Sequence, residues 1–384
     1  MDKFNQEDKK FMSLALKLAR KAKGDTRPNP MVGAVIVKDG RILSTGYHKK
    51  AGKEHAEIEA IKKADEPLEG ASLFVTLEPC NIHAKTPPCV DQLIKHRFAE
   101  VIIGSIDPNP SICGKGVKEL EKANIKVRSG LMREEVARQN EEFFKNMKTG
   151  LPFITSKIAA SLDGKIASAS RDSKWITSDY SRRLVYSLRK DIGCILTGLG
   201  TVVCDDPYLL PYSSDGGLRK AGGFWRVIFD SGLKLELDSN IAKTLGMADT
   251  IIFTQSKDRG KIEELEKRGG RIEKTSGGQK IDIYEALSLL YKKYKITSVL
   301  LEAGPSLNTS FLREGAIDKM ILFFAPIIIG GDGLSMFSGI GTDKVSQAIS
   351  LDIKDLKRRG RDYLLTVYPR EDVYRNNQTK RKNQ

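Results

Sequence analysis

The sequence predicts an α/β protein of two domains. Predicted strands alternate with predicted helices along the chain, and 384 residues exceed the roughly 100–200 residues of an average domain. The run Thr149-Gly150-Leu151-Pro152 ends the helix that closes the first alternating segment. We therefore expect one domain at residues 1–150, a second at 151–370, and a basic, aperiodic, disordered tail at 371–384.

The first domain is predicted to open with an amphipathic helix and a β-hairpin. Phe11, Leu14 and Leu18 recur at helical spacing within residues 7–23. Residues 32–37 and 41–47 flank Lys38-Asp39-Gly40, which is typical of a hairpin turn. The pattern then predicts helices at 54–64, 90–96, 117–123 and 133–148, and strands at 73–77, 101–106 and 125–127.

The second domain is predicted to alternate in the same way, which favours another α/β fold. Its apolar runs predict strands at 153–159, 194–197, 227–230, 250–254, 298–302, 320–328 and 363–368. Its helical periodicity predicts helices at 181–190, 262–267, 281–294 and 307–314.

The charge and composition limit the possible partners. A net charge of +15 suits nucleic acid or small phosphorylated substrates, but it is spread evenly, with +6 in residues 1–150 and +9 in the rest. We therefore expect no specific nucleic acid. No apolar run reaches the length of about 18 residues needed to span a membrane, and the polar N-terminus lacks a secretory pattern. A cytoplasmic protein with reduced thiols is expected, and five cysteines cannot all pair.

A zinc-site pattern lies in the first domain. His55-Ala56-Glu57 precedes Glu78-Pro79-Cys80, and Cys89 follows after eight residues. A catalytic zinc takes three protein ligands and keeps one position for water, whose pKa falls from 15.7 to about 7. His55, Cys80 and Cys89 supply the ligands, and Glu57 can move protons. A His-x-Glu followed by Pro-Cys is the zinc-deaminase pattern; the alternative is that the residues are unrelated.

Further polar residues are predicted on loops around that zinc site. Asp107 and Asn109 follow a predicted strand, at the end where α/β sheets bind ligands, although Asp-Pro and Asn-Pro also simply favour turns. The other candidates for this pocket are Asn29, His48 and Lys85.

The second domain lacks Gly-x-Gly-x-x-Gly, the usual dinucleotide fingerprint. Its best phosphate cradle is the turn Glu302-Ala303-Gly304-Pro305-Ser306-Leu307, where a strand meets a helix N-terminus. Trp175 has polar neighbours, so its ring either stacks on a flat ligand or packs in the core.

The combined motifs resemble the bifunctional riboflavin-biosynthesis deaminase–reductase family over about residues 5–370. In the first half they are Thr26-Arg27-Pro28-Asn29-Pro30-Met31-Val32-Gly33, His55-Ala56-Glu57, the cysteine pair and Asp107-Pro108-Asn109-Pro110. In the second half they are Ala160-Ser161-Leu162-Asp163-Gly164-Lys165, Ser173-Lys174-Trp175-Ile176-Thr177, Asp205-Asp206-Pro207 and Glu302-Ala303-Gly304-Pro305.

The resemblance implies a cytidine-deaminase-like domain and a dihydrofolate-reductase-like domain. It implies zinc-dependent deamination of a phosphoribosylamino-diaminopyrimidinone, then reduction of its ribosyl side chain by NADPH. It also implies roles for individual residues. Those expected to contact the first substrate are Asn29, His48, Lys85, Asp107 and Asn109. Those expected to hold NADPH are Ala159, Trp175, Thr201, Asp205, Gly304, Pro305, Ser306 and Leu307. Those expected to face the second substrate are Ser173, Arg189, Leu209 and Glu302.

Two positions depart from the family pattern. Ile82 stands where the family usually has a histidine, and Tyr212 stands where it usually has an arginine that grips the substrate phosphate. Two alternatives follow from the charge and from the missing arginine: a tRNA deaminase, or a deaminase whose second domain is only a scaffold. We also expect a homo-oligomer.

Overall fold

The computed structural model describes residues 4–82, 87–210, 223–276 and 278–370. The chain forms two compact units, Met1–Leu151 and Pro152–Gln384. Within the described residues, every helix is too short or too polar to cross a membrane.

The first unit contains six α-helices and five strands in its described part. The helices are α1 (Gln6–Ala19), α2 (Ala56–Lys62), α3 (Cys89–Lys95), α4 (Lys115–Lys122), α5 (Arg133–Gln139) and α6 (Glu141–Thr149). The strands are β1 (Gly33–Lys38), β2 (Arg41–Tyr47), β3 (Ser72–Leu77), β4 (Glu100–Ser105) and β5 (Lys126–Ser129).

The strands of this unit form one sheet in the order β2-β1-β3-β4-β5, in which β3, β4 and β5 are parallel. Successive residues of a strand face opposite sides of a sheet. Ile36 therefore packs in the cluster beside α2 and α3, while Val35 packs in the cluster beside α1. Both faces are buried, which accounts for the apolar runs of β3 and β4.

The helix predicted over residues 133–148 is two helices, α5 and α6. They meet at Asn140, whose backbone leaves the helical region with φ −114° and ψ 27°. Asn140 Oδ1 accepts a hydrogen bond from Met31 N at 2.8 Å, and its Nδ2 donates to Met31 O at 3.0 Å. These hydrogen bonds to a residue distant in sequence compensate for the interruption of the helix at Asn140.

The second unit contains six α-helices and eleven strands in its described part. The helices are α7 (Asp179–Ile192), α8 (Leu199–Asp205), α9 (Asn240–Lys243), α10 (Arg259–Lys267), α11 (Ile283–Lys292) and α12 (Pro305–Arg313). The strands are β6 (Phe153–Ser161), β7 (Lys165–Ala167), β8 (Cys194–Gly198), β9 (Trp225–Phe229), β10 (Asp249–Phe253), β11 (Gly270–Glu273), β12 (Ser298–Leu301), β13 (Lys319–Ala325), β14 (Leu334–Ser335), β15 (Leu351–Arg359) and β16 (Asp362–Pro369).

Nine of these strands form a sheet in the order β11-β10-β9-β8-β12-β6-β13-β16-β15. The strands from β11 to β13 are parallel, whereas β16 and β15 are antiparallel to their neighbours. The carboxyl ends of β12, β8 and β6 therefore meet at one edge, which is where open α/β sheets bind ligands. The pair β7 and β14 forms a separate small sheet.

Candidate active sites

The histidine and glutamate of the first site lie at the start of α2. His55 is the N-cap residue, with extended backbone, and Glu57 lies in the first turn with 3% of its surface exposed. Gly46 allows α2 to pack closely on β2, because a Cβ there would lie 2.2 Å from Ala56 O. The close packing of these two elements fixes the start of the helix and both functional side chains.

The two cysteines approach the histidine from separate elements. Cys80 follows β3 and Cys89 begins α3. His55 Nδ1 lies 3.2 Å from Cys89 Sγ and 3.4 Å from Cys80 Sγ, and the two sulfurs are 3.5 Å apart. Ligands of tetrahedral zinc at bond lengths of about 2.0–2.3 Å are spaced similarly. The donor set and its spacing therefore fit zinc.

Glu57 is suited to move protons. Burial raises the pKa of its carboxyl to about 7. A general acid–base catalyst works best with a pKa near the working pH.

Asn29 and His48 form a pair beside the zinc ligands. Glu54 O can only accept, so His48 Nδ1 donates to it, at 2.9 Å. His48 Nε2 then accepts from Asn29 Nδ2 at 3.1 Å. This arrangement fixes the orientation of the Asn29 amide and directs its oxygen, as an acceptor, away from His48. Burial lowers the pKa of His48, which keeps the ring neutral.

Asp107 and Asn109 lie on the loop after β4. Asp107 Oδ1 accepts from Asn109 N at 2.8 Å, and burial raises the pKa of Asp107 to about 6. Ile82, at the departure from the family pattern, is 38% exposed. Lys85 lies outside the described residues.

One cavity of about 180 Å³ joins most of the predicted residues of the first site. Its predicted lining residues are Asn29, His48, His55, Glu57, Cys80, Asp107 and Asn109. Glu78 and Phe143 also line it and were not predicted. Glu78 belongs to the Glu78-Pro79-Cys80 segment of the zinc-site pattern, but its side chain bonds to backbone groups distant in sequence. Phe143 carried no sequence signal beyond its apolar character.

The second candidate site contains a buried ion cluster. Glu302, directly after β12, accepts from Arg189 Nε at 2.6 Å and Nη2 at 2.9 Å. Lys157 Nζ lies 3.0 Å from Glu302 Oε2. Burial raises the pKa of Glu302, but the charges of Lys157 and Arg189 outweigh that effect and lower it to about 2. Lys157 was not predicted.

The predicted phosphate cradle lies at the start of α12. Gly304 is its N-cap residue and Pro305 its first residue, so the turn presents unpaired helix N–H groups. Gly304 N donates to Thr201 Oγ1 at 3.1 Å, which joins the turn to α8. Ser306 is exposed, and Leu307 packs against Gly198 at the end of β8. Ala159 lies near the end of β6, where it pairs with Phe323 of β13.

The remaining predicted residues lie around this edge with less mutual contact. Trp175 is 65% exposed, and the Arg182 guanidinium stacks 4.3 Å from its ring centroid. Ser173 is half-buried and Asp205 is exposed. Leu209, which was expected to face the second substrate, is 5% exposed and packs in an apolar cluster. In the described part of the chain, none of these four makes a polar contact with Glu302. Tyr212 lies outside it.

Both halves of the chain match known protein families. Residues 5–105 match the cytidine and deoxycytidylate deaminase zinc-binding region, and residues 152–365 match the RibD C-terminal domain. The riboflavin biosynthesis protein RibD of Aquifex aeolicus is 39% identical over 358 residues, which cover 93% of this chain and 97% of that protein. The Escherichia coli protein of the same name is 36% identical, with 94% and 98% covered.

Two solved structures are similar over nearly the whole chain. Acinetobacter baumannii RibD has a TM-score of 0.82 at 35% identity and covers 95% of this chain and 99% of its own. A diaminohydroxyphosphoribosylaminopyrimidine deaminase/5-amino-6-(5-phosphoribosylamino)uracil reductase from Thermotoga maritima has a TM-score of 0.80 at 35% identity, with the same coverage. Similarity over both halves disfavours the tRNA-deaminase and scaffold alternatives. The chain therefore belongs to the RibD family of riboflavin-biosynthesis proteins and is a deaminase with a zinc-binding domain joined to a reductase with an NADPH-using domain.

Proposed function

We propose that residues 1–150 deaminate a diaminohydroxyphosphoribosylaminopyrimidine and that residues 151–370 then reduce the resulting phosphoribosylaminouracil. The observation that carries the first step is the His55, Cys80 and Cys89 triangle, of which His55 and Cys80 line the same cavity as Glu57. The similarity to the Thermotoga maritima enzyme supports the substrate pair.

In the first step, Glu57 takes a proton from the attacking water and delivers it to the ring nitrogen. It then moves the remaining hydroxyl proton to the amino group, which leaves as ammonia while the carbonyl forms. Zinc bound by His55, Cys80 and Cys89 supplies Lewis acidity, which lowers the pKa of a bound water. On one side of the ring, the Asn29 amide oxygen accepts a hydrogen bond from the substrate, and His48 holds that amide in place. Asp107, Asn109 and Lys85 contact the rest of the substrate.

In the second step, the edge at the ends of β12, β8 and β6 holds the cofactor and the sugar. NADPH supplies the hydride that reduces the ribosyl side chain. The N–H groups of Ser306 and Leu307 would bind its phosphate oxygens, since a helix N-terminus favours anions. Gly304, whose N–H donates to Thr201, would hold the turn in place. The other cofactor contacts are Pro305, Ala159, Trp175, Thr201 and Asp205. Arg189, whose guanidinium is held by Glu302, orients the sugar phosphate together with Ser173, while Leu209 packs in an apolar cluster.

We also propose a cytoplasmic homo-oligomer. The zinc ligands must be thiolates, and the sulfurs of Cys80 and Cys89 are close enough that an oxidising compartment would threaten the site. Exposed Ile353 and Leu356 on β15, an edge strand, support association with a second copy. Light scattering of the purified protein tests the oligomeric state; a monomer at micromolar concentration would contradict it.

A coupled assay tests the proposed reactions. Zinc-replete protein receives the phosphoribosyl diaminopyrimidinone and NADPH, and ammonia and NADPH oxidation are followed together. Ammonia release followed by NADPH oxidation is the expected result. Absence of ammonia release would contradict the deaminase assignment of residues 1–150. Ammonia without NADPH oxidation would contradict the reductase assignment of residues 151–370.

A further inference from the structure

Glu78 is a buried carboxylate that the proposed deamination leaves without a role. It is 4% exposed and lies two residues before the zinc ligand Cys80. Its Oε2 accepts from Asp107 N at 3.2 Å and from Gly114 N at 2.9 Å, and its Oε1 accepts from Val117 N at 3.3 Å. A buried charge persists only when hydrogen bonds or partners compensate its lost hydration. The three backbone N–H groups supply that compensation.

Among the described residues, backbone N–H groups rather than a cation balance the charge of Glu78. Within the described ranges, the partners of its carboxylate oxygens are the N–H groups of Asp107, Gly114 and Val117. Gly114 is the N-cap residue of α4 and Val117 lies in its first turn, so the carboxylate also meets the positive end of the helix. Glu78 thus joins the end of β3 to both the Asp107 loop and the start of α4.

Gly116 permits this close packing. A Cβ at Gly116 would lie 2.3 Å from Pro79 O and 3.3 Å from Glu78 Oε1. A larger residue would push the first turn of α4 away from the Glu78-Pro79-Cys80 segment. Two features therefore hold the segment close to the helix. The Glu78 carboxylate is hydrogen-bonded to the first turn of α4, and Gly116 has no side chain that would separate them.

We propose that Glu78 is a positioning residue of the deaminase, which holds the loop bearing Asp107 and Asn109 at a fixed place relative to Cys80. It holds the loop by the Asp107 N–H, while Asn109 N holds the Asp107 side chain at 2.8 Å. Together these bonds aim the Asp107 carboxyl into the cavity. Glu78 therefore sets substrate affinity rather than the chemical step. This inference rests on the proposed deamination.

The variant Glu78→Gln tests the inference, because it keeps the shape of the side chain. Its amide NH₂ would face N–H donors, so at least one of the three bonds is lost and a repulsive contact replaces it. Glu121→Gln is the matched control, since Glu121 lies on the exposed side of α4. NADPH oxidation with the deaminated intermediate, catalysed by residues 151–370, reports whether the rest of the chain remains folded.

We expect the KM for ammonia release to rise about tenfold in Glu78→Gln, with kcat within about threefold of the wild type and zinc content unchanged. Calorimetry should show product binding weakened by a similar factor. An unchanged KM, or a loss of zinc, would overturn the proposal. If the wild type itself releases no ammonia, the proposed function fails instead, and the calorimetric comparison alone decides on Glu78.

Two further variants separate positioning from general destabilisation. In an Asp107→Ala background, Glu78→Gln should cause less than about a twofold further loss of product binding, because contacting residues are not additive. If the losses of product binding in the two variants are fully additive, Glu78 does not act through Asp107. If Glu78→Gln does not fold, Gly116→Ala applies the same test, because it displaces the helix turn without changing the carboxylate; an unaltered KM there would also overturn the proposal.

Discussion

Arg189 and Glu302 form a two-point ion pair in the second unit, with Nε–Oε1 at 2.6 Å and Nη2–Oε2 at 2.9 Å. Arg189 lies on α7 and Glu302 follows β12, so the pair ties a helix to the end of the sheet where we place the second substrate. The side chains of Glu302 and Arg189 are 8% and 15% exposed. Paired planar groups of this kind give strong, directed hydrogen bonds.

Glu302→Gln is expected to lower the stability of the second unit in a pH-dependent way. The folded pKa of about 2 lies below the ordinary value of 4.5. Ionisation of Glu302 therefore stabilises the fold at pH values above the ordinary pKa, by about 3 kcal/mol, and this contribution is lost as the pH falls towards 2. The variant also leaves Arg189 and Lys157 without their anionic partner, which is costly in a buried cluster.

Urea unfolding followed by tryptophan fluorescence measures this effect, because both tryptophans, Trp175 and Trp225, lie in the second unit. The free energy of unfolding of the wild type should exceed that of the variant most at pH 7. This difference should become smaller below about pH 4.5. Glu263→Gln, an exposed position on α10, should change little at any pH. If the difference in unfolding free energy does not change with pH, the ionisation of Glu302 is not its cause.

Glu57→Gln is expected to abolish most ammonia release while zinc stays bound. Loss of a general acid–base group costs about 10²–10⁴-fold in rate. Glu54→Gln is the matched control, since that side chain pairs with Lys62 and is 42% exposed. Ammonia release and zinc content by mass spectrometry are the two measurements. Substantial activity in Glu57→Gln would remove the proton-transfer role from this residue.

Cys89→Ser is expected to separate the two activities. Loss of one of three protein ligands should lower zinc content and reduce ammonia release more than about a hundredfold. NADPH oxidation with the deaminated intermediate should remain, because the second unit is compact by itself. Cys113→Ser, at an exposed cysteine, should leave both activities intact. Retention of stoichiometric zinc in Cys89→Ser would show that the sulfur is not a ligand.

Much of the fold could be predicted because its strands are buried apolar runs. β12 is fully buried, and the alternation of such runs with helices identifies the α/β class. The strand β15 was missed because its sequence LDIKDLKRR is highly charged and six of its nine residues are exposed at a sheet edge. The helices α5 and α6 were predicted as one helix. The hydrogen bonds between Asn140 and Met31 join residues distant in sequence, so local periodicity does not reveal them.

In the candidate sites too, residues in short sequence motifs could be predicted, whereas residues that act through distant contacts could not. The short motifs that contain His55 with Glu57, and Cys80 with its preceding proline, can be read directly from the sequence, and with Cys89 they predict the zinc chemistry. Glu78 and Lys157 were missed, because each acts through partners distant in sequence: the backbone N–H of Asp107 for one, and the carboxylate of Glu302 for the other. Such contacts exist only once the sheets are assembled.

Trp175→Ala is expected to weaken NADPH binding about tenfold, because a flat ring stacked on an indole gains both buried area and ring contact. Trp175 is available for this, at 65% exposed and with Arg182 on its ring. Trp225 instead packs edge to face against Tyr294, with ring centroids 5.3 Å apart. Titration with NADPH should therefore quench fluorescence in Trp225→Phe but not in Trp175→Phe, with calorimetry giving the affinities. Equal quenching in both variants, with Trp175→Ala binding as tightly as the wild type, would place the cofactor elsewhere on the edge formed by β12, β8 and β6.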